Sequence, residues 1–287
     1  MAQELCLVTG AAGAVGPALV AGILVRGPSV RVLARRPLPE ELRDPRVEEM
    51  QGDIADRAAV TSATEGISTV FHLAAKLHAE NSTADMRAEY ERVNVEGTHV
   101  VVEAARAAGV RRLVFFSTTS VNGPTGPEPV NDDYSLTPET IYADTKLRAE
   151  KIAVSAQNYY GEPLSAVLRM AAVYGPRMKG NYVTLANALA KGRFLLVGSG
   201  NNLRTIVYDA DAVEAAILAS RAPIAGCMYN VGDGSAHSLR EIISAISETL
   251  GRRHVQGEIR PHRLRRVRAA VRLGASRRED RGPRAED

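Results

Sequence analysis

Short runs of apolar, β-branched residues alternate along the first 170 positions with segments whose apolar residues recur at helical spacing. The runs Leu5–Thr9, Val30–Leu33, Val47–Gln51, Thr69–Leu73, Leu113–Phe116 and Ser165–Leu168 predict strands. The segments Pro17–Val25, Asp56–Glu65, Ala88–Ala108 and Ala143–Tyr160 predict helices. Pro17 suits the first turn of its helix, where a missing N–H costs nothing. The unbroken apolar stretch Leu5–Val8 reads as a strand covered on both faces. This rhythm of βαβ units predicts an α/β fold built on a doubly wound parallel sheet.

After Arg169 the rhythm breaks. Loop-like stretches such as GPRMKGN and GSGNN separate helical patterns at Asn181–Lys191, Asp211–Ser220 and Ser238–Leu250. The expected organisation is a first domain over 1–170 with residues 203–222 returning to it. A smaller α/β lobe over 171–202 and 223–254 would bind substrate, and 255–287 would form a basic, poorly ordered or atypical tail. Charge sharpens that division. Gly251–Asp287 holds 12 Arg and 5 acidic residues, a net of +7, which against a whole-chain charge of +3 leaves the other 250 residues at −4. The body is thus mildly acidic and offers no nucleic-acid footprint. The tail reads either as a solvated basic arm, a phosphate-binding arm or an out-of-frame stretch.

An apolar content of 45% with 24% charged residues is ordinary for a globular protein. No apolar run approaches the roughly 20 residues of a membrane span, and no basic leader precedes the first strand, so a cytoplasmic protein with no membrane partner is expected. Cys6 and Cys227 each lie in an apolar stretch and are expected to be buried thiols, with no metal role.

Gly10, Gly13 and Gly16 follow the first predicted strand and open the first predicted helix. In that context the first glycine permits a tight turn, the second lets the backbone approach a pyrophosphate, and the third allows close helix packing. Free N–H groups at the helix start then favour the phosphates. At the end of the second strand, where a carboxylate would grip an unmodified ribose, the sequence has Ala34 followed by Arg35 and Arg36. Two guanidiniums suit a 2′-phosphate, so the cofactor reads as NAD(P), leaning to NADP.

Tyr142 and Lys146 are four apart at the head of a predicted helix and therefore share a face. A phenol titrates near ~10, and a neighbouring ammonium is expected to lower it towards the range of a useful base. Thr118 stands 24 residues ahead of Tyr142, among the four hydroxyls Ser117, Thr118, Thr119 and Ser120 that close a buried strand. Hydroxyls at the carboxyl end of a parallel strand face the ligand crevice.

Taken in order, these motifs resemble the extended short-chain dehydrogenase/reductase family, within which the chain looks most like nucleotide-sugar 4-epimerases. The resemblance covers about residues 5–250 and implies a Rossmann domain with a smaller substrate lobe. It implies adenine contacts from Asp53 and Ile54, a strand end at Leu73, Ala74 and Ala75 beneath the cofactor, and a central-helix asparagine at Asn94. It makes Thr118, Tyr142 and Lys146 the catalytic set, with Tyr142 and Lys146 also touching the cofactor. Substrate contacts fall to Thr118, Thr119 and Arg204, the last on the substrate diphosphate, and His72 becomes a strand histidine. Helices such as Ala88–Ala108 and Ala143–Tyr160 pair subunits in this family, which points to a homodimer.

Two departures matter. Ala172 stands where an asparagine often helps hold the nucleotide, and Thr119-Ser120 replace the Asp-Glu pair of dehydratases. The expected activity is therefore 4-epimerisation of a nucleotide sugar, with an NADP-dependent carbonyl reductase or hydroxysteroid-dehydrogenase-like enzyme as the alternative. A non-catalytic nucleotide sensor is the third reading, opposed by the intact Thr118, Tyr142 and Lys146.

Overall fold

The computed structural model describes residues 4–77, 84–126, 128, 130, 134–178, 180–221 and 225–251. The expected tail at 255–287 lies outside them.

The chain runs β1 (Leu5–Thr9), α1 (Gly16–Val25), β2 (Ser29–Ala34), β3 (Val47–Gln51), α2 (Arg57–Thr64) and β4 (Thr69–His72). It continues through α3 (Ala84–Tyr90), α4 (Gly97–Ala107), β5 (Arg112–Thr118), α5 (Ile141–Val154) and β6 (Ser165–Met170). Then come β7 (Ala172–Tyr174), α6 (Asn181–Ala190), β8 (Leu203–Arg204), β9 (Ile206–Tyr208), α7 (Asp209–Arg221), β10 (Met228–Val231), β11 (His237–Ser238) and α8 (Leu239–Thr249). The main sheet has seven strands in the order β10-β6-β5-β4-β1-β2-β3, and every pairing in it is parallel. This is a Rossmann doubly wound sheet whose strand order reverses between β1 and β4, the place where such sheets receive ligands.

Adjacent residues of each central strand serve opposite cores, as a period of two demands. Val8, Phe71, Val114 and Phe116 pack under α1 and α7 with Leu19, Val20, Val213 and Ile217. Leu7, Val70, Leu113 and Phe115 pack under α2, α4 and α5 with Val60, Val101, Ala105, Ala149 and Ala153. Two buried faces per strand explain why these segments read as continuous apolar runs.

Four sequence expectations are corrected. The helix expected to run to Tyr160 stops at Val154. There the Asn158 side chain accepts from the backbone N–H groups of Tyr160 and Glu162, and Gln157 bridges to Pro163. That local turn, with Gly161 at φ +79°, competes successfully with helix. The helix expected from Ala88 starts at Ala84 and passes through a π-turn, Glu91–Glu96, before α4. Cys227 is exposed rather than buried, because it leads into β10 at the sheet edge; Cys6 is buried and both thiols are free. Finally, β10 pairs with β6, so that segment belongs with the main sheet and not with the second lobe.

The chain divides into a large unit, 1–179 with 205–235, and a small one, 180–204 with 236–287. In the small unit β8 and β11 form an antiparallel ribbon and Leu189, Leu196 and Ile243 make a separate core. Its α8 starts with a reciprocal cap between Ser238 and Glu241. No helix among the described residues is long and apolar enough to cross a membrane.

Candidate active site

The turn after β1 is shaped by what its glycines lack. Gly10 has φ +77°, and a Cβ there would come within 2.6 Å of the Ala74 backbone nitrogen. A Cβ on Gly16 would sit 2.1 Å from the Ala11 carbonyl oxygen, so only glycine lets α1 close on the turn. Gly13 N–H donates to the Gly10 carbonyl at 2.9 Å. Pro17 stands in the first turn of α1, and no side chain caps that helix start. Its N-terminal N–H groups and dipole fit a dinucleotide's phosphates.

Facing the turn, the exit of β4 is tied down from below. The Leu73 N–H donates to the Thr9 carbonyl at 3.1 Å, and Ala74 N–H to the Thr9 hydroxyl at 3.4 Å. His72, fully buried, lies between the hydroxyls of Thr9 (2.7 Å) and Thr98 (3.1 Å). Thr98 gives its own proton to the Asn94 carbonyl at 2.7 Å. His72 Nε2 must therefore donate to Thr98, and Nδ1 accepts from Thr9. Burial, with the Lys146 charge adding to it, pushes this imidazole down to about 3, so it is neutral. The amide of Asn94 clamps the backbone of Lys76 (2.7 and 3.2 Å) and reaches the Thr145 hydroxyl at 3.0 Å. Ala75 follows in the same half-buried stretch.

At the other end of the crevice Arg35 and Arg36 emerge exposed from β2. Asp53 accepts from Ala55 N–H at 2.9 Å and from Arg92 at 3.1 Å. Desolvation is the largest influence on its carboxyl and raises it, but those hydrogen bonds with the charges of Arg92 and Arg35 leave it below the ordinary carboxylate range. Ile54 points into the core against Gly97, so its side chain is spent on packing. Arg92, in the π-turn, escaped the sequence reading because no motif marks it.

Thr118 ends β5 and caps the short turn that follows, accepting from Ser120 N–H at 3.2 Å and donating to the Ser120 hydroxyl at 3.1 Å. Thr119 opens that turn, half-buried. The Thr140 side chain caps α5 by accepting from Ala143 N–H, which fixes Tyr142 in the first turn. The Tyr142 phenol meets the Thr118 side chain in a hydrogen bond that favours its ionised form. Its acidity is another matter. Burial first, and Tyr90 second, push the phenol up to about 12, outweighing the pull of Thr118. The expected lowering by Lys146 is not realised here, because the Lys146 ammonium donates to the Phe116 carbonyl at 2.6 Å and lies 4.0 Å above the Phe115 ring. Burial brings Lys146 itself down to about 7, against the opposing charge of Glu150.

Glu150, one turn beyond Lys146, is 1% exposed and fully engaged. Arg169 grips it at 2.8–3.1 Å and the Ser117 hydroxyl donates to it at 2.5 Å. Sequence reading passed over this cluster, although a glutamate on the buried face of α5 and an arginine inside the apolar strand SAVLRM were its signals. Arg204 lies in the small unit on β8, exposed, donating to the Leu203 carbonyl at 2.9 Å. Thr118, Tyr142 and Lys146 are thus brought together at the end of β5, beside the β4 exit that Gly10 touches.

The chain matches a family model described as the NAD dependent epimerase/dehydratase family over residues 6–232. It is 33% identical to a 2-alkyl-3-oxoalkanoate reductase of Stenotrophomonas maltophilia, over 94% of this chain and 81% of that one. It is 32% identical to a UDP-glucose 4-epimerase of Mycolicibacterium smegmatis, over 93% and 92%. Among solved structures, the Thermus thermophilus UDP-glucose 4-epimerase in complex with NAD superposes with a TM-score of 0.76 at 31% identity, covering 90% of this chain and 88% of that one.

Proposed function

This chain belongs to the NAD-dependent epimerase/dehydratase family, and from that premise we propose that it binds a nicotinamide dinucleotide on the glycine turn and epimerises a nucleotide sugar at C4. The observation that carries the reading is the Tyr142 phenol hydrogen-bonded to Thr118, with Lys146 buried one turn along α5. When bound, an oxidised dinucleotide supplies the hydride acceptor and a positive charge that eases ionisation of Tyr142. The open turn at Gly10, Gly13 and Gly16 and the side-chain-free start of α1 fit its pyrophosphate. The Leu73–Ala75 backbone would lie beneath it, Asp53 would meet the adenine, and Arg35 with Arg36 would hold a 2′-phosphate.

In the forward half-reaction Tyr142 takes the proton of the C4 hydroxyl, while Thr118 holds that oxygen by a hydrogen bond. Lys146 would meet the nicotinamide ribose of a bound dinucleotide, while easing the ionisation of Tyr142 falls to the charge of the oxidised ring. After the 4-keto sugar turns, C4 would take back on its other face the hydride it gave up, while Tyr142 returns the proton to the same oxygen, and the configuration at C4 would be inverted. Thr119 lines the same turn, and Arg204, exposed on β8, carries the forked guanidinium suited to a diphosphate.

A second reading, an NADP-dependent carbonyl reductase, has its own support. The exposed Arg35-Arg36 pair follows Ala34 with no carboxylate in that place, and one relative is a reductase. Incubation with UDP-sugars and each dinucleotide separates the two. Epimerised sugar seen by NMR without net change at 340 nm is the expected result. Net consumption of reduced cofactor on a ketone substrate would instead establish the reductase.

A further inference from the structure

The least explained feature of the large unit is its buried charge cluster. Glu150 receives Arg169 from β6 through Nε (3.0 and 3.1 Å) and Nη2 (2.8 Å), and the Ser117 hydroxyl from β5. Ser117 and Arg169 are direct cross-strand partners, so the carboxylate joins α5 to two neighbouring strands at one point. Replacing a buried ion pair by well-packed apolar groups is often neutral or stabilising, so stability alone does not explain why such a cluster is kept.

What sets this one apart is its place. Glu150 and Lys146 are four apart on α5 and both are almost wholly inaccessible. Lys146 Nζ is held by the Phe116 carbonyl, on the residue next to Ser117. We propose that Glu150 is a positioning residue for Lys146, its carboxylate anchored by Arg169 and Ser117 so as to keep the ammonium in place and charged. This rests on the reading of Lys146 as part of the chemical site.

The surroundings leave that task to Glu150. From β4 His72 faces Lys146 but is neutral. On α5 itself Tyr142 carries its proton, and Tyr90 of α3 faces Tyr142. Arg148 and Asp144 are engaged with each other at 4.0 Å, and Arg148 also pairs with Glu91 of the π-turn. Arg169 is paired with Glu150 at 2.8 Å. Among the described residues Glu150 is the charge that opposes the effect of burial on Lys146.

The test separates charge from shape. Lysine-selective NMR follows titration of Lys146 in the full chain without substrate, its signal assigned by loss in Lys146→Arg. In Glu150→Gln, the closer isostere, the midpoint should fall by about one pH unit or more. In Glu150→Asp, which keeps the charge but not the length, it should stay within about half a unit. Should Glu150→Gln fail to fold with Arg169 unpaired, Glu150→Gln/Arg169→Met removes both charges together and should show a smaller fall in the same direction, since loss of the Arg169 charge works the other way. A midpoint unmoved by the glutamine variants, or moved as far by aspartate, would overturn the proposal. If Lys146 shifts as expected while wild type turns over no nucleotide sugar, the coupling stands and the sugar chemistry is what fails.

Discussion

Tyr142 and His72 show desolvation holding two titratable side chains in their neutral forms. His72 is fully buried and Tyr142 half-buried, and desolvation is the main cause of each displaced pKa, upward for the phenol and downward for the imidazole. In the proposed chemistry Tyr142 carries the proton, and its hydroxyl meets Thr118 at the strand end. Tyr142→Phe should keep dinucleotide affinity and lose turnover by roughly 10²–10⁴-fold, the usual worth of acid–base catalysis. A variant turning over at near wild-type rate would remove Tyr142 from the chemistry. His72 has no route to a ligand, since Thr9 and Thr98 occupy both nitrogens. Its consequence is thermodynamic. With the folded value near 3 and the ordinary value at 6.5, the unfolded chain takes the proton first. The stability His72 confers is present above pH ~6.5 and is lost as pH falls towards 3, by at most ~1.4 kcal/mol per unit. Urea melts between pH 7 and 4 should therefore show the gap between wild type and His72→Gln narrowing with acid. A constant gap would mean that the histidine is not buried neutral.

At the scale of elements, α1 and its glycine turn act as one part. Gly16→Ala places a methyl about where the Ala11 carbonyl oxygen now lies, so the turn must open and the helix start must move. Dinucleotide affinity should drop tenfold or more, with a lower melting temperature. Gly126→Ala, which meets nothing within 4 Å, serves as the control. Equal affinities in the two variants would show that the turn is not the phosphate cradle. This part was legible in the sequence because the chemistry demands glycine at fixed spacing between a strand and a helix. The strands β1, β4, β5 and β6 were legible too, since burial on both faces leaves largely apolar runs such as Leu113–Phe116, whereas the edge strand β3 is mostly exposed. Helix ends were not. The stop at Val154 depends on the Asn158 side chain winning its backbone neighbours from the helix, which periodicity does not record. Nor was β10, a short edge strand with largely exposed residues. At the site, contiguous motifs exposed Thr118, Tyr142 and Lys146, whereas Glu150, Arg169 and Ser117 meet only through tertiary pairing.

For the molecule as a whole, ligand binding and stability are one equilibrium. Any ligand taken up by the folded state alone adds RT ln(1 + [L]/Kd), about 2.7 kcal/mol at a hundredfold excess over Kd. Melting curves therefore rank cofactors without an assay of turnover. They also address the charge pattern, in which a body of net −4 presents Arg35 and Arg36 beside each other at the dinucleotide end of the sheet. If those guanidiniums grip a 2′-phosphate, NADP should raise the wild-type melting temperature more than NAD does at equal concentration. The excess should shrink as salt rises, because exposed charges are screened over a Debye length of about 8–10 Å. Arg35→Ser/Arg36→Ser should abolish the excess while leaving the NAD-induced rise nearly intact. Exposed residues of this kind contribute little to the fold, so the unliganded melting temperature should move by no more than a degree or two. Equal losses for the two dinucleotides would show that the arginines only shape the loop. A wild-type protein stabilised more by NAD would end the preference for NADP while leaving the epimerase chemistry untouched.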